Sequence, residues 1–479
     1  MLTIFSMMLT KGEDHLKHTH LLAIDRAHIW HPYTQMKDYS QEDHLLIVQG
    51  EGPYLFDHEG NRYYDMTGSW WTTVWGHNHP SLIEAIHHQL HELDHVLFAG
   101  CTHPPATRLV ESLTKVLHPS LSRFFFSDDG STAVEVALKM AYQYHKNRGD
   151  RERELFIHLK DSYHGDTSGC MSVGGIDIYF SHYRGLMVKT IEVLPPIRKY
   201  TSQPPPFTES GGDERVLTQG LIRIEETIHA LWKNLAGVIV EPLLMGAAGM
   251  QVYSRKYLTR LRELTKEYGI LLIFDEVVTG CGRTGRMWAY EHADIVPDIL
   301  IAAKGITGGM LPLALTITTD EIYYAFYDDY AKGKTFFHGH SYTANPIACA
   351  VAHANIELLL QTRILETAQK TWEAFHQELL SWEGIPWVGD VRFIGCVGAV
   401  DVVREKRDEG EVLFSPELRI GRRIAKKARQ YGLLLRPLGD TIYWLFRLNA
   451  TEKEVREVVH KTFRAIEETV WEVQHTDAL

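Results

Sequence analysis

Three short stretches of this chain set reactive side chains where apolar runs stop. In GILLIFDEVVTGCGRTG, Asp275 and Glu276 follow one such run. A carboxylate there is drawn out of water and calls for a cationic partner. In DILIAAKGITGG, Lys304 follows the next run, just ahead of Gly305, Gly308 and Gly309. Desolvation at that position lowers an ammonium's pKa and frees the amine for nucleophilic attack. In FFFSDDGSTAVEVALKM, Gly130 and Ser131 open a helical pattern directly after a third run. Free N–H groups and a hydroxyl at a helix start suit an anion, above all a phosphate.

Each feature has a plainer use. Asp275 can cap a helix or join a salt bridge, Lys304 can be a solvated loop lysine, and Asp128, Asp129 and Ser131 are all good helix caps. Together, an amine nucleophile, a buried carboxylate and a phosphate cradle match the needs of pyridoxal phosphate. A lysine joins its aldehyde, an aspartate keeps its ring nitrogen protonated, and its phosphate rests at a helix N-terminus.

The elements that must position these groups follow from the apolar pattern. SRFFFS, ELFIHL, AGVIVEP, GILLIFDE and DILIAA are short apolar runs, with amphipathic helices such as RLVESLTKVL and TAVEVALKMAYQYH among them. That alternation predicts an α/β fold with a doubly wound, mostly parallel sheet, whose ligands collect at the carboxyl ends of its strands. LLIVQG and PYLFDHEGNRYYD predict N-terminal strands with HEGN as a hairpin turn. Beyond about residue 350, a helix, strands near VRFIGCVGAVDV and the stretch LLLRPLGDTIYWLF predict a smaller α+β domain. The expected organisation is an N-terminal segment (1–67) packed with the small domain, a large α/β domain (68–345) and the small domain itself (346–479). The Pro/Ser/Gly-rich stretch 195–220 predicts an exposed excursion.

Composition narrows the function classes. The chain has 479 residues, 44% hydrophobic and 23% charged, as expected of a soluble globular protein. A net charge of −12 argues against general nucleic-acid or membrane-surface binding. Cys101, Cys170, Cys281, Cys349 and Cys396 are scattered and odd in number, which predicts a reducing, cytoplasmic setting without disulfides. The opening MLTIFSMMLTKGEDH lacks a basic start and a small-residue cleavage site, so no secretion signal is expected.

Two further stretches need weighing. GSWWTTVWGHNHP crowds Trp70, Trp71 and Trp75 between glycines and other turn formers. They are either a staple for the N-terminal segment or the apolar wall of a pocket. His91-Glu92-Leu93-Asp94-His95 fits the H-E-x-x-H zinc pattern, with His87, His91 and His95 on one face if the helix continues. A solvated helix in a chain with 27 histidines accounts for it better than a zinc hydrolase, because no third ligand motif is evident.

FDEVVTGCGRTGRMWAYEHADIVPDILIAAKGITGG resembles the stretch from aspartate to cofactor lysine in class III pyridoxal-phosphate aminotransferases. Those enzymes have the fold-type I architecture: a large domain with a mostly parallel sheet and a smaller α+β domain. Within the class, IWHPYTQM, GSWWTTVWGHNHP, DGSTAVEVALKMAYQY, DSYHGDTSGCMSVGG and KTFFHGHSYTANP are most similar to the branch acting in biotin synthesis. That branch converts 8-amino-7-oxononanoate to 7,8-diaminononanoate, usually with S-adenosylmethionine as amino donor, in a ping-pong exchange through pyridoxamine phosphate. The resemblance runs from about residue 26 to beyond 443.

It implies Lys304 as the cofactor lysine and proton shuttle, with Asp275 on the ring nitrogen. It also implies Gly130 and Ser131 on the phosphate, Tyr163 against the ring, and Ser341 on the phosphate of a neighbouring subunit. Tyr33, Trp70, Trp71, Arg283 and Gly339 would border the substrate, and Arg436 would receive its carboxylate. A homodimer with its site at the interface follows, with no nucleic acid, membrane or metal involved. Glutamate-using members pair a switching glutamate with an arginine; Ala247 and Tyr443 stand in their places here. That argues against ornithine- or GABA-type substrates. A broader ω-amino acid or diamine transaminase is the alternative. His340, Leu438 and the LFRLNAT stretch depart from the branch and leave the donor, S-adenosylmethionine or lysine, open.

Overall fold

A computed structural model describes residues 18–42, 44–200, 214–407 and 410–476. Near the N-terminus, β1 (Ile47–Glu51), β2 (Tyr54–Asp57) and β3 (Arg62–Asp65) form an antiparallel meander. Gly60, at φ +87, turns the β2–β3 hairpin.

The central sheet contains β4 (Leu121–Ser127), β5 (Leu155–Leu159), β6 (Ile191–Val193) and β7 (Leu235–Val240). A two-stranded ribbon, β8 (Leu244–Met245) with β9 (Gln251–Val252), follows outside it. The central sheet is completed by β10 (Leu271–Asp275), β11 (Ile299–Ala302) and β12 (Ala314–Thr319), in the order β4-β12-β11-β10-β7-β5-β6. Strands β6, β5, β7, β10 and β11 are mutually parallel, and β12 runs against both its neighbours. Every residue of β7, β10 and β11 is buried. Covered on both faces, they need continuous apolar sequence rather than alternation, which is why AGVIV, LLIF and ILIA read as they do. The helix Gly130–Asn147 lies over β12, β11, β10 and β7, and Pro346–Thr362 packs on the helices Pro80–Leu90 and Pro104–Thr114.

The C-terminal part contributes β13 (Val388–Ile394), β14 (Val397–Val402), the hairpin β15 (Glu405–Arg407) and β16 (Gly410–Val412), then β17 (Leu433–Leu434) and β18 (Thr441–Leu445). β13, β14 and β18 make an antiparallel sheet, and β17 joins β3 in parallel. One end of the chain therefore completes the sheet begun by the other.

Two expectations change. Of the stretch 195–220, residues 201–213 lie outside the described residues, and Glu214 already begins the helix Glu214–Leu231, so its later part is no excursion. The helix holding His87 ends at Leu90, before His91. His95 therefore lies beyond that helix, and the one-face zinc geometry is not formed. Among the described residues no group of three or more His, Cys, Asp or Glu could hold a metal ion, and no helix is long and apolar enough to cross a membrane.

Candidate active site

The carboxyl ends of β7, β10 and β11 open into a cavity of about 600 Å³. Asp275, the last residue of β10, accepts a 2.7 Å bond from His164 Nδ1 through Oδ2 and a 3.0 Å bond from the Val277 amide through Oδ1. Both side chains of the Asp275–His164 pair are almost entirely buried. The other ring nitrogen of His164, Nε2, is buried without a hydrogen-bond partner. Just past β7, Glu241 is buried and accepts the amides of Tyr163 (3.0 Å) and Gly246 (2.8 Å). Burial, with the charge of Asp275 beside it, pushes its carboxyl up to about 7, against the pull of His164.

Lys304 stands two residues past β11 in the left-handed region, at φ +47. Burial lowers its ammonium to about 8, although the charges of Asp275 and Glu241 oppose the shift. Its Nζ lies 4.7 Å from the centre of the Trp71 ring. Glu276 takes a different path from its neighbour. It points into the protein, accepts Thr279 Oγ1 and the amides of Ala289 and Tyr290, and burial raises it to about 7.

Gly130 and Ser131 line the cavity at the first turn of an 18-residue helix. Asp129 and Thr132 form a capping box, which occupies the Thr132 amide. A helix start leaves four N–H groups without acceptors inside the helix, so those of Gly130 and Ser131 are left for an anion. The cradle is shaped by absent side chains. A Cβ on Gly165 would come 2.2 Å from Ser131 Oγ, and one on Gly130 would come 3.1 Å from Val277. This donor set and its open space suit a phosphate bound beside a protonated ring nitrogen.

The aromatic wall is built on unusual backbone. Gly68, Ser69, Trp70 and Trp71 all have positive φ, of +54, +45, +68 and +73. Trp71 N–H donates to Thr67 O (2.7 Å) and Thr72 N–H to Gly68 O (2.8 Å). The segment is thus one turn of left-handed helix, a conformation costing about 1–2 kcal/mol per residue that carries a Cβ. Asp65, at the end of β3, accepts Thr67 N–H, Thr67 Oγ1 and Ser69 Oγ and pairs with His77 at 3.0 Å. Gly309 lies against the Thr72–Thr73 backbone so closely that a Cβ there would meet it at 2.8 Å.

Trp70 and Trp71 both line the cavity. Trp71 is buried and donates from Nε1 to Tyr443 Oη at 3.0 Å. Trp70 is about one-third exposed, and the Arg436 guanidinium lies 4.3 Å from its ring centre. Tyr33 donates to Asp166 at 2.6 Å, and Tyr163 donates to the other oxygen of Asp166 at 3.0 Å. Tyr179 and Ala247 also face this space. Trp75 is buried elsewhere, donating to Asn355 Oδ1 at 2.8 Å.

Two residues expected to border the substrate, Arg283 and Gly339, do not line this cavity. Arg283 is 1% exposed and its guanidinium donates to Phe446 O, Trp71 O and Thr73 O, so it braces the tryptophan turn instead of facing a ligand. Gly339 and Ser341 lie exposed on a loop. Conversely, the cavity gathers His164, Glu241, Asp166 and Tyr179, which the sequence reading above does not name. Glu241 ends the run AGVIVE and obeys the same strand-end rule that pointed to Asp275; His164 is visible only once the loop folds onto β10.

Residues 36–466 match the family Aminotransferase class-III. The adenosylmethionine-8-amino-7-oxononanoate aminotransferase of Aquifex aeolicus is 40% identical over 453 residues, covering 94% of this chain and 97% of the relative. This chain belongs to the class-III aminotransferases. The enzyme of the same name from Geobacter sulfurreducens is 41% identical over 431 residues, covering 90% of this chain and 94% of its own. Among solved structures, that from Methanocaldococcus jannaschii superposes with a TM-score of 0.87 at 36% identity, covering 94% of this chain and 99% of the other. An amine transaminase from an uncultivated Pseudomonas species, in its PLP-bound form, gives 0.86 at 33% identity, with 92% and 99% covered. As a class-III aminotransferase, the protein is an enzyme dependent on pyridoxal 5′-phosphate, with the fold-type I arrangement of a mostly parallel sheet and a smaller α+β part.

Proposed function

We propose that the protein aminates 8-amino-7-oxononanoate to 7,8-diaminononanoate, the transamination step of biotin synthesis, with S-adenosylmethionine as donor. One observation carries the reading: the adjacent Trp70 and Trp71 rings each carry one of the cavity's cations, Arg436 on the first and Lys304 on the second. An acceptor with a carboxylate, a methylene chain and an amino-ketone has the same order of groups. Arg436 binds the carboxylate by a charge-assisted contact. Tyr33, Trp70 and Trp71 cover the methylenes, each worth about 0.8 kcal/mol when buried. Ala247 and the buried Tyr443 fit a site that need not alternate between two carboxylate substrates.

Gly130 and Ser131 would hold the cofactor phosphate, Tyr163 its ring face, Asp275 its ring nitrogen and Lys304 its aldehyde carbon. Bound there, pyridoxal phosphate supplies an electron sink and carries the amino group between donor and acceptor. Asp275, fixed by His164 and the Val277 amide, holds the ring-nitrogen proton. Lys304, once free, moves a proton at the substrate carbon, and its lowered basicity keeps a useful fraction neutral near pH 8. The exposed Gly339 and Ser341 suit a homodimer in which this loop reaches the partner's site; the reading places the enzyme in the cytoplasm and divides it into an N-terminal segment (1–67), a large domain (68–345) and a small domain (346–479).

The test is a pair of half-reactions followed by cofactor absorbance. S-Adenosylmethionine alone should convert the spectrum, lysine alone should not, and 8-amino-7-oxononanoate should restore it. Turnover of β-alanine or putrescine with pyruvate, without response to the oxononanoate, would overturn this in favour of a broad ω-amino acid transaminase.

A further inference from the structure

The left-handed turn that presents the two tryptophans is not required by the strand before it. β3 ends at Asp65, three residues before the turn begins. Right-handed backbone is the default for Ser69, Trp70 and Trp71, and only Gly68 has free choice. Reversing the hand of a turn moves every side chain on it to another face, so Trp70 and Trp71 would leave the cavity. Something must select the costly hand, and Asp65 is the candidate. Its two oxygens take the Thr67 amide and hydroxyl just before the turn and the Ser69 hydroxyl within it. His77 Nε2 meets the same carboxylate at 3.0 Å from beyond Trp75. All of these contacts reach only one carboxylate, which is itself buried.

We propose that Asp65, acting through the Ser69 hydroxyl, is a positioning residue for substrate specificity: it locks residues 68–71 in the left-handed turn that places Trp70 and Trp71 against the methylene chain of the acceptor. The inference rests on the reading of those tryptophans as the acceptor's wall. Asp65 does not line the cavity and takes no part in proton movement.

The hand of the turn gives a sharp test, because alanine and glycine both remove the Ser69 hydroxyl but only glycine tolerates positive φ without cost. Holoenzyme of the wild type, Ser69→Ala, Ser69→Gly and Asp65→Asn is compared for kcat and KM with 8-amino-7-oxononanoate at saturating donor, with cofactor absorbance and thermal midpoint as checks of folding. Ser69→Ala should raise KM about ten-fold with kcat within about two-fold, and Ser69→Gly should raise it markedly less. Asp65→Asn should exceed both; if it does not fold, the exposed Ser69 pair still decides. KM unchanged in Ser69→Ala, a fall in kcat alone, or Ser69→Gly as damaging as Ser69→Ala would each overturn the proposal. A wild type inert toward the oxononanoate would instead remove the functional reading beneath it.

Discussion

At the floor of the cavity the titratable groups stand on or close behind strand ends: Asp275 closes β10, Glu241 follows β7 by one residue and Lys304 follows β11 by two. The wall contains no strand residue. Tyr33 lies in a loop at φ +50, Trp70 and Trp71 in a reversed turn, Tyr179 on a four-residue helix and Arg436 in the chain leaving β17. The floor is held by the hydrogen bonding of a buried sheet, so its geometry is fixed before a ligand arrives. The wall is held by single side chains such as Asp65 and Arg283. On the proposed function, the floor sets the reaction type and the wall the choice of substrate.

If that division is right, floor variants lose rate and wall variants lose affinity. Lys304→Ala should lower both half-reactions by about 10³-fold or more, seen in single-turnover absorbance. Asp275→Ala should cost on the order of 10²–10³-fold in kcat with little change in KM. Arg436→Met should do the reverse, raising KM for the oxononanoate about 30-fold, equivalent to roughly 2 kcal/mol for a lost charge-assisted bond, while kcat stays within about three-fold. A fall in kcat alone would move Arg436 to the floor.

Acidity sharpens the comparison further. Lys304 is lowered from 10.5 to about 8 in the folded chain. Between those values the unfolded chain binds more protons, so this residue's contribution to stability grows as pH rises through the window and is lost as pH falls through about 8. Glu241 and Glu276, raised from 4.5 to about 7, act oppositely: their contribution is present below 4.5 and lost as pH climbs to about 7. Melting of the cofactor-free protein between pH 8 and 10.5 should therefore flatten in Lys304→Met. The smallest effect on catalysis belongs to Trp75→Phe. It strands the buried Asn355 oxygen and should lower stability by about 1–3 kcal/mol in denaturant titration with KM untouched.

The same division explains what could be read from the residues alone. Asp275, Lys304, Gly130 and Ser131 stand out because buried parallel strands have an unmistakable composition and ligands gather at their ends. The N-terminal hairpin is equally plain in HEGN. The antiparallel insertion of β12 leaves no local trace, because ALTITT reads as any buried strand. Arg283 misleads for a physical reason: an arginine in a glycine-rich loop near the site looks free, and only the folded chain shows its guanidinium committed to three carbonyls. Asp65 carries no motif at all, since its importance comes from the hand of the turn that follows it.

The placing of β12 has a consequence for biosynthesis. Among the described residues β4, which leads into the phosphate cradle, is joined to the rest of the central sheet only through β12, with Ser127 opposite Ala314. A ribosome must therefore deliver β12 before β4 and its cradle can join the sheet, and such distant pairing is slow to form. Until then the nascent chain exposes the edges of two apolar strands, the kind of edge on which misassembly starts.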